Sequence, residues 1–154
     1  MHFGRWLTAT GWLMQCCCMR MKVAVRWLWR LLMCSILIVQ ILLVEIHAEA
    51  TSEKLAMGYQ LDGRVSAVWG THTHVPTADA QVFERGMGYV TDLGMCGAVR
   101  SVLGIRPEQS VETFLGGRPG RYAAPDGPCK MEGVIFSLDS DSGRCVGAER
   151  IDIR

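Results

Sequence analysis

The sequence has no C-x-x-C pair, no acidic residue before Glu45 and no apolar run long enough to span a bilayer as a helix. Its seven cysteines, at 16, 17, 18, 34, 96, 129 and 145, form an odd set with three in a row. That spacing indicates neither a zinc ribbon nor a disulfide framework and reads as reduced cysteines in a cytosolic chain. The stretch LLMCSILIVQILLV at 31–44 would cover about 21 Å as a helix, short of a hydrocarbon core of about 30 Å. Charge of one sign is also missing from the start: Arg5, Arg20, Lys22, Arg26 and Arg30 stand there without an acid. The overall charge of +1 therefore hides a +5 head and a −4 body, in which 11 basic face 15 acidic side chains. Such a body offers no broad basic face to a nucleic-acid polymer, although a small nucleotide is not excluded.

The 154 residues suffice for one domain with one sizeable core. The head resembles a targeting segment, with scattered basic residues, an apolar run, and Ala48 and Ala50 in an A-x-A arrangement. Against cleavage stand a long, tryptophan-rich basic region and the polar Glu45, His47 and Glu49 just before the cut. The competing reading makes 36–46 a buried parallel strand, which also presents an unbroken Ile, Val and Leu run. On that reading the protein is cytoplasmic, the alternative being anchoring or secretion through residues 1–50.

The following segments favour the strand. ATSEKLAMGYQLDG offers Thr51 or Ser52 as N-cap, Glu53 in the first turn, apolar residues at helical spacing and Gly63 as a stop. RVSAVWG at 64–70 then reads as a second strand, completing a βαβ unit with parallel strands. This places His47, His72 and His74 at the carboxyl ends of neighbouring strands, the edge where open α/β sheets bind ligands. In an extended segment residues i and i+2 point the same way, so the two histidines of GTHTHV can face one centre, and neutral imidazole suits a transition metal. The alternative for each is a hydrogen-bonded histidine at a strand terminus. Glu45 and Glu49 flank His47 but are expected to point away from it or into the helix turn, and Asp79 reads as a turn or cap residue. Asp92 either lies near the site or satisfies backbone amides at a strand end. Cys96 lacks an adjacent base to activate it. DSDSG at 139–143 departs from a calcium loop, with its glycine one place early and no Glu at the twelfth position, and reads as the turn between strands 134–138 and 145–150. The glycines of FLGGRPGR and RGMG read as a helix stop and a hairpin turn.

HAEATSEK at 47–54, LDGRVSAVWGTHTHVPTAD at 61–79 and YVTDLGMCG at 89–97, followed by SVLGI and FLGGRP, resemble the second half of the YmdB-like metallophosphoesterases, described as 2′,3′-cyclic-nucleotide 2′-phosphodiesterases. The resemblance covers roughly residues 38–154 and leaves 1–37 as a head foreign to the family. It implies an α/β calcineurin-like fold, two β-sheets sandwiched between helices, with a dinuclear centre of iron or manganese at the sheet edge. It further implies that His47 and His72 share one ion, that His74 reaches the other, and that a nucleotide phosphodiester is the substrate. G-T-H-T-H departs from the wider superfamily's G-H-x-H in the way this family does. The family's Asp, bridging acid, Asn ligands and catalytic His come from a first half with no counterpart here, since residues 1–37 hold neither Asp nor Asn and only His2. No catalytic residue is therefore assigned in this chain. The expectation is an incomplete domain, inactive alone, from a truncated or frameshifted gene or with a partner carrying the other half; homo-oligomers are also compatible. A non-catalytic metal-binding or membrane-anchored module is the alternative.

Overall fold

In the computed structural model the described residues are 40–154, together with the strand backbones of β1 (Phe3–Thr8) and β2 (Leu13–Cys17). The apolar run before His47 does form a strand, β3 (Leu42–His47), with Val44 fully buried. Residues 36–39 of the expected strand, most of the targeting-like head and Cys34 lie outside the described residues. The helix α1 (Thr51–Leu61) follows, and then β4 (Ala67–Thr71). Strands β3 and β4 are parallel, pairing Leu43 with Ala67 through to His47 with Thr71, as the βαβ reading requires.

Two details differ from expectation. The N-cap of α1 is Ala50, without a side-chain cap, because its carbonyl accepts the amides of Glu53 and Lys54 while Thr51 and Ser52 are already helical. Strand β4 begins at Ala67 rather than 64, because Arg64 closes a turn onto the Leu61 carbonyl before Ser66 donates to the carbonyl of Leu42.

The hairpin of β5 (Gln81–Val82) and β6 (Gly88–Val90) completes a six-stranded sheet of order β2-β1-β3-β4-β6-β5. A second sheet joins β7 (Cys96–Ala98), β8 (Cys129–Leu138) and β9 (Cys145–Ile153), with α2 (Pro107–Phe114) between β7 and β8. DSDSG is the β8–β9 turn: Asp139 accepts the amides of Ser142 and Gly143, and Gly143 supplies φ 70°. The glycines of RGMG and FLGGRPGR fall in the β5–β6 hairpin and after α2, as expected.

The core forms where α1 covers the larger sheet. Val44, Val68, Met87 and Tyr89 are buried there with Leu61, Val65 and Phe83. Gly58 lets the helix lie against the Tyr89 ring, since a Cβ at Gly58 would come within 2.6 Å of it. Phe83 stacks on Tyr89 at 4.9 Å and on Tyr59 at 5.0 Å. The two sheets meet at Gly88, whose missing side chain leaves room for Phe136 and the Cys145 thiol. Among the described residues Cys96, Cys129 and Cys145 are free thiols, and no helix is long and apolar enough to cross a membrane.

Candidate metal centre

Parallel pairing puts His47 and Thr71 side by side as the last residues of their strands, so His72 begins a loop over the carboxyl edge of the sheet. That loop is not extended. His72 has φ 109° and His74 φ 62°, two of three non-glycine residues with positive φ among those described. Such backbone costs about 1–3 kcal/mol per residue and persists only where the surroundings hold it.

Asp92 holds it. Its Oδ2 accepts the Thr73 amide, between the two histidines, at 3.1 Å, and Oδ1 accepts the Gly94 amide at 3.0 Å. Lys54, from α1, donates to Oδ2 at 2.8 Å, and both side chains of this pair are 1% exposed. Burial pushes the Asp92 carboxyl up, but the bonds from Lys54, Gly94 and Thr73 together outweigh it and hold it below the usual aspartate range. Asp79 repeats the pattern, with burial opposed and exceeded by hydroxyl and amide bonds from Thr77 and Thr91. It ties the loop after the histidines to the end of β6 rather than capping a turn alone.

The imidazoles of His47 and His72 meet edge to face, centroids 4.8 Å apart, with His47 Nε2 3.0 Å from His72 Nδ1. The Thr71 hydroxyl donates to Glu45 at 2.9 Å, so its oxygen can only accept from His47 Nδ1, also at 2.9 Å. His47 therefore carries its proton on Nδ1 and turns the Nε2 lone pair toward His72, the tautomer a ligating imidazole needs. Glu49 Oε2 lies 3.2 Å from His72 Nε2. Both glutamates thus join the histidine pair, one through Thr71 and one directly, contrary to the expectation that they would point away.

His74 does not join it. It is exposed, and its Nδ1 bonds the Leu103 carbonyl at 3.2 Å, because left-handed backbone at His72 and His74 replaces the extended geometry that would have aligned them. Among the described residues no group of three or more His, Cys, Asp or Glu side chains converges to hold an ion. What fits is a pair: two nitrogens at right angles about an ion, each about 2.1 Å from it, stand about 3.0 Å apart. Both readings of Asp92 meet in the structure: it satisfies backbone amides, and one of them, Thr73, lies between His72 and His74. Cys96 is exposed at the start of β7. Sequence reasoning missed Thr71 and Lys54. The signal for Lys54 was a lysine on the apolar face of α1, four and seven residues before the buried Gly58 and Leu61.

A two-sheet α/β architecture with paired histidines at the carboxyl edge defines a class of sheet-edge site proteins, and comparison with known proteins narrows it. The family described as YmdB-like protein matches residues 17–151, and the chain belongs to that family. It is 44% identical over 108 residues to a 2′,3′-cyclic-nucleotide 2′-phosphodiesterase of Bacillus subtilis, covering 70% of this chain and 41% of that protein. It is 40% identical over 112 residues to a putative phosphatase/phosphodiesterase of Mycoplasma pneumoniae, covering 72% and 40%. Among solved structures, one described as a novel phosphatase from Mycoplasma pneumoniae superposes with TM-score 0.77 at 36% identity, over 83% of this chain and 45% of that one. A hypothetical protein from Thermus thermophilus superposes with TM-score 0.72 at 43% identity, over 82% and 49%. The chain thus spans about two-fifths of the length of the curated relatives it matches.

Proposed function

We propose that this chain is the C-terminal part, from about residue 38, of a metal-dependent phosphodiesterase acting on nucleotide phosphodiesters such as 2′,3′-cyclic nucleotides. The observation that carries the reading is the 3.0 Å approach of His47 Nε2 to His72 Nδ1, a spacing that an ion between the nitrogens would keep while displacing the proton they share. The name of the Bacillus subtilis relative supports the substrate class. Divalent ions such as iron or manganese, held at the histidines together with ligands from the first half, would supply Lewis acidity and lower the pKa of a bound water. The chain's own part is to present His47 and His72 to one ion and His74 to the other, with Thr71 and Glu45 fixing the His47 tautomer. Lys54 and Asp92 fix the loop that carries the other two histidines.

One histidine cannot fix a second ion, and two imidazoles without a bridging acid close no site. The chain alone is therefore expected to bind at most one equivalent of metal weakly and to hydrolyse neither bis(p-nitrophenyl) phosphate nor 2′,3′-cyclic AMP. Fusing the first half of a homologue ahead of residue 38 is expected to give manganese-dependent hydrolysis, lost on His72→Ala or His74→Ala and largely retained on Cys96→Ala. Turnover by the unfused chain that depends on His74, or an active fusion indifferent to both histidine replacements, would overturn the reading.

A further inference from the structure

The histidines of the left-handed loop are held differently: His72 meets His47, whereas His74 reaches a turn between β7 and α2. In that turn Val102 and Ile105 exchange backbone bonds of 2.9 and 3.0 Å across two residues, Leu103 and Gly104. Both central residues have positive φ, 53° and 95°, which makes it a type I′ turn, a conformation that favours Asn-Gly. Leucine at the first position is an outlier, and such backbone persists only where its surroundings hold it. Its side chain does not supply the hold, being 49% exposed and outside the core. The backbone around it does: the Ser101 hydroxyl donates to the Ala98 carbonyl at 2.7 Å and accepts the Gly104 amide at 3.0 Å, which roots the turn at the end of β7. At Gly104 a Cβ would meet only the Met95 Cε, at 3.5 Å, so this glycine answers to φ rather than to space.

At the tip of the turn the Leu103 carbonyl lies 3.2 Å from His74 Nδ1. A carbonyl only accepts, so Nδ1 carries the proton and Nε2 the lone pair. The backbone beside His74 is fixed from a different element, since the preceding Thr73 donates its amide to Asp92 at the end of β6. Ring and backbone are thus held from two separate parts of the chain. The outcome is the one seen at His47, whose Nδ1 proton goes to Thr71 and whose Nε2 is left to face the site.

We propose that the 101–105 turn orients His74, making Nε2 the atom that this histidine offers to a metal ion. Leu103 is then a positioning residue that acts through its carbonyl. The proposal rests on the phosphodiesterase reading for what His74 binds, and not for how the ring is held. A ligating histidine whose other nitrogen bonds a backbone carbonyl has its ring and tautomer fixed, and losing such a partner costs about 10–100-fold in metal affinity.

The test is long-range proton–nitrogen NMR of the full 154-residue chain, labelled at its four histidines, in EDTA at about pH 8.5, above the reference histidine pKa of about 6.5. The signals that disappear in His74→Gln identify the residue, and they are expected to show the Nδ1–H tautomer. Leu103→Asn suits left-handed backbone and keeps the carbonyl, so it should leave that tautomer unchanged and raise the midpoint of thermal unfolding. Gly104→Val, which the turn's backbone opposes, should move His74 toward the mixed tautomers of an unheld ring. In the fusion with a homologous first half the same replacement should weaken manganese binding, measured by calorimetry, about tenfold. Ser101→Ala, which removes the root of the turn, is the second variant, and circular dichroism establishes that each fold is kept. Native His74 with its proton on Nε2, a tautomer altered by Leu103→Asn, or one unaltered in the folded Gly104 and Ser101 variants would each overturn the proposal. A fusion that holds no manganese while native His74 keeps its Nδ1 proton would leave the turn's role standing and remove the phosphodiesterase reading, so the two failures are distinguishable.

Discussion

At the residue scale, the Lys54–Asp92 pair shows how a buried charge is retained for position rather than for stability. Replacing such a pair with apolar residues is often neutral, whereas removing one partner leaves the other charged in a dry site. Asp92 has a second obligation, since its oxygens also take the amides of Thr73 and Gly94. Lys54→Met is therefore expected to destabilise the fold by about 3–5 kcal/mol in urea denaturation. Adding Asp92→Leu should recover only part of that loss, because the Thr73 and Gly94 amides then lack an acceptor. Full recovery in the double variant would show that the amide bonds contribute nothing. The same two residues mark where sequence reasoning stopped. An aspartate after a β-like run told of amides to satisfy, but its ion-pair partner sits 38 positions earlier, and only the packing of α1 against β6 joins them.

At the element scale, strands and turns were legible where a local pattern decides them. The βαβ unit, the 139–143 turn and the stop at Gly63 follow from apolar runs and glycine placement. The histidine loop was not legible, because its backbone is set by the distant Asp92 and by Gly70, where a Cβ would meet the Thr91 carbonyl oxygen at 1.7 Å. Strand order brought the three histidines to one sheet edge, the grouping of His47 with His72 was an implication of the family resemblance alone, and the alignment of His72 with His74 expected of an extended segment is not what the loop has. A second carboxylate does comparable work between elements. Glu132, on β8, accepts the Met95 amide at 3.0 Å and is paired with Lys130 on the same strand. Burial raises its pKa, but the Lys130 and Met95 bonds together win and leave it below the usual glutamate range. A depressed folded pKa contributes stability above the unfolded value of about 4.3, and this is lost as pH falls through the folded value. The stability gap between the native chain and Glu132→Gln is therefore expected to be constant near neutral pH and to shrink in acid below about pH 4. A gap that widens on acidification would contradict the assignment.

At the scale of the whole molecule, large apolar side chains stand exposed at several places, among them the end of α2 and the outer strand of the second sheet. At the end of α2 apolar side chains stand in solvent: its last residue Phe114 is 90% exposed and Leu115 just after it 82%, with Val111 one turn earlier at 54%. The outer strand β9 adds Val146 at 69% and Ile153 at 57%; its first amide, Cys145, bonds the Gly86 carbonyl, and beyond that its far edge pairs with no strand among the described residues. Exposed apolar groups and an open strand edge both favour association of chains, and burying one such side chain is worth about 1.5–3 kcal/mol. The chain, 17.1 kDa, is thus expected to run above its monomer mass in size-exclusion chromatography with light scattering at micromolar concentration. Phe114→Glu combined with Leu115→Lys should shift it toward the monomer without altering circular dichroism, since neither side chain contributes to the core. Arg150→Glu, on exposed β9 but polar already, should leave the mass unchanged. A monomeric native chain would show that these exposed groups are too dispersed to associate. An unchanged assembly in the double variant would assign association to the β9 edge, where the backbone rather than the side chains makes the contact.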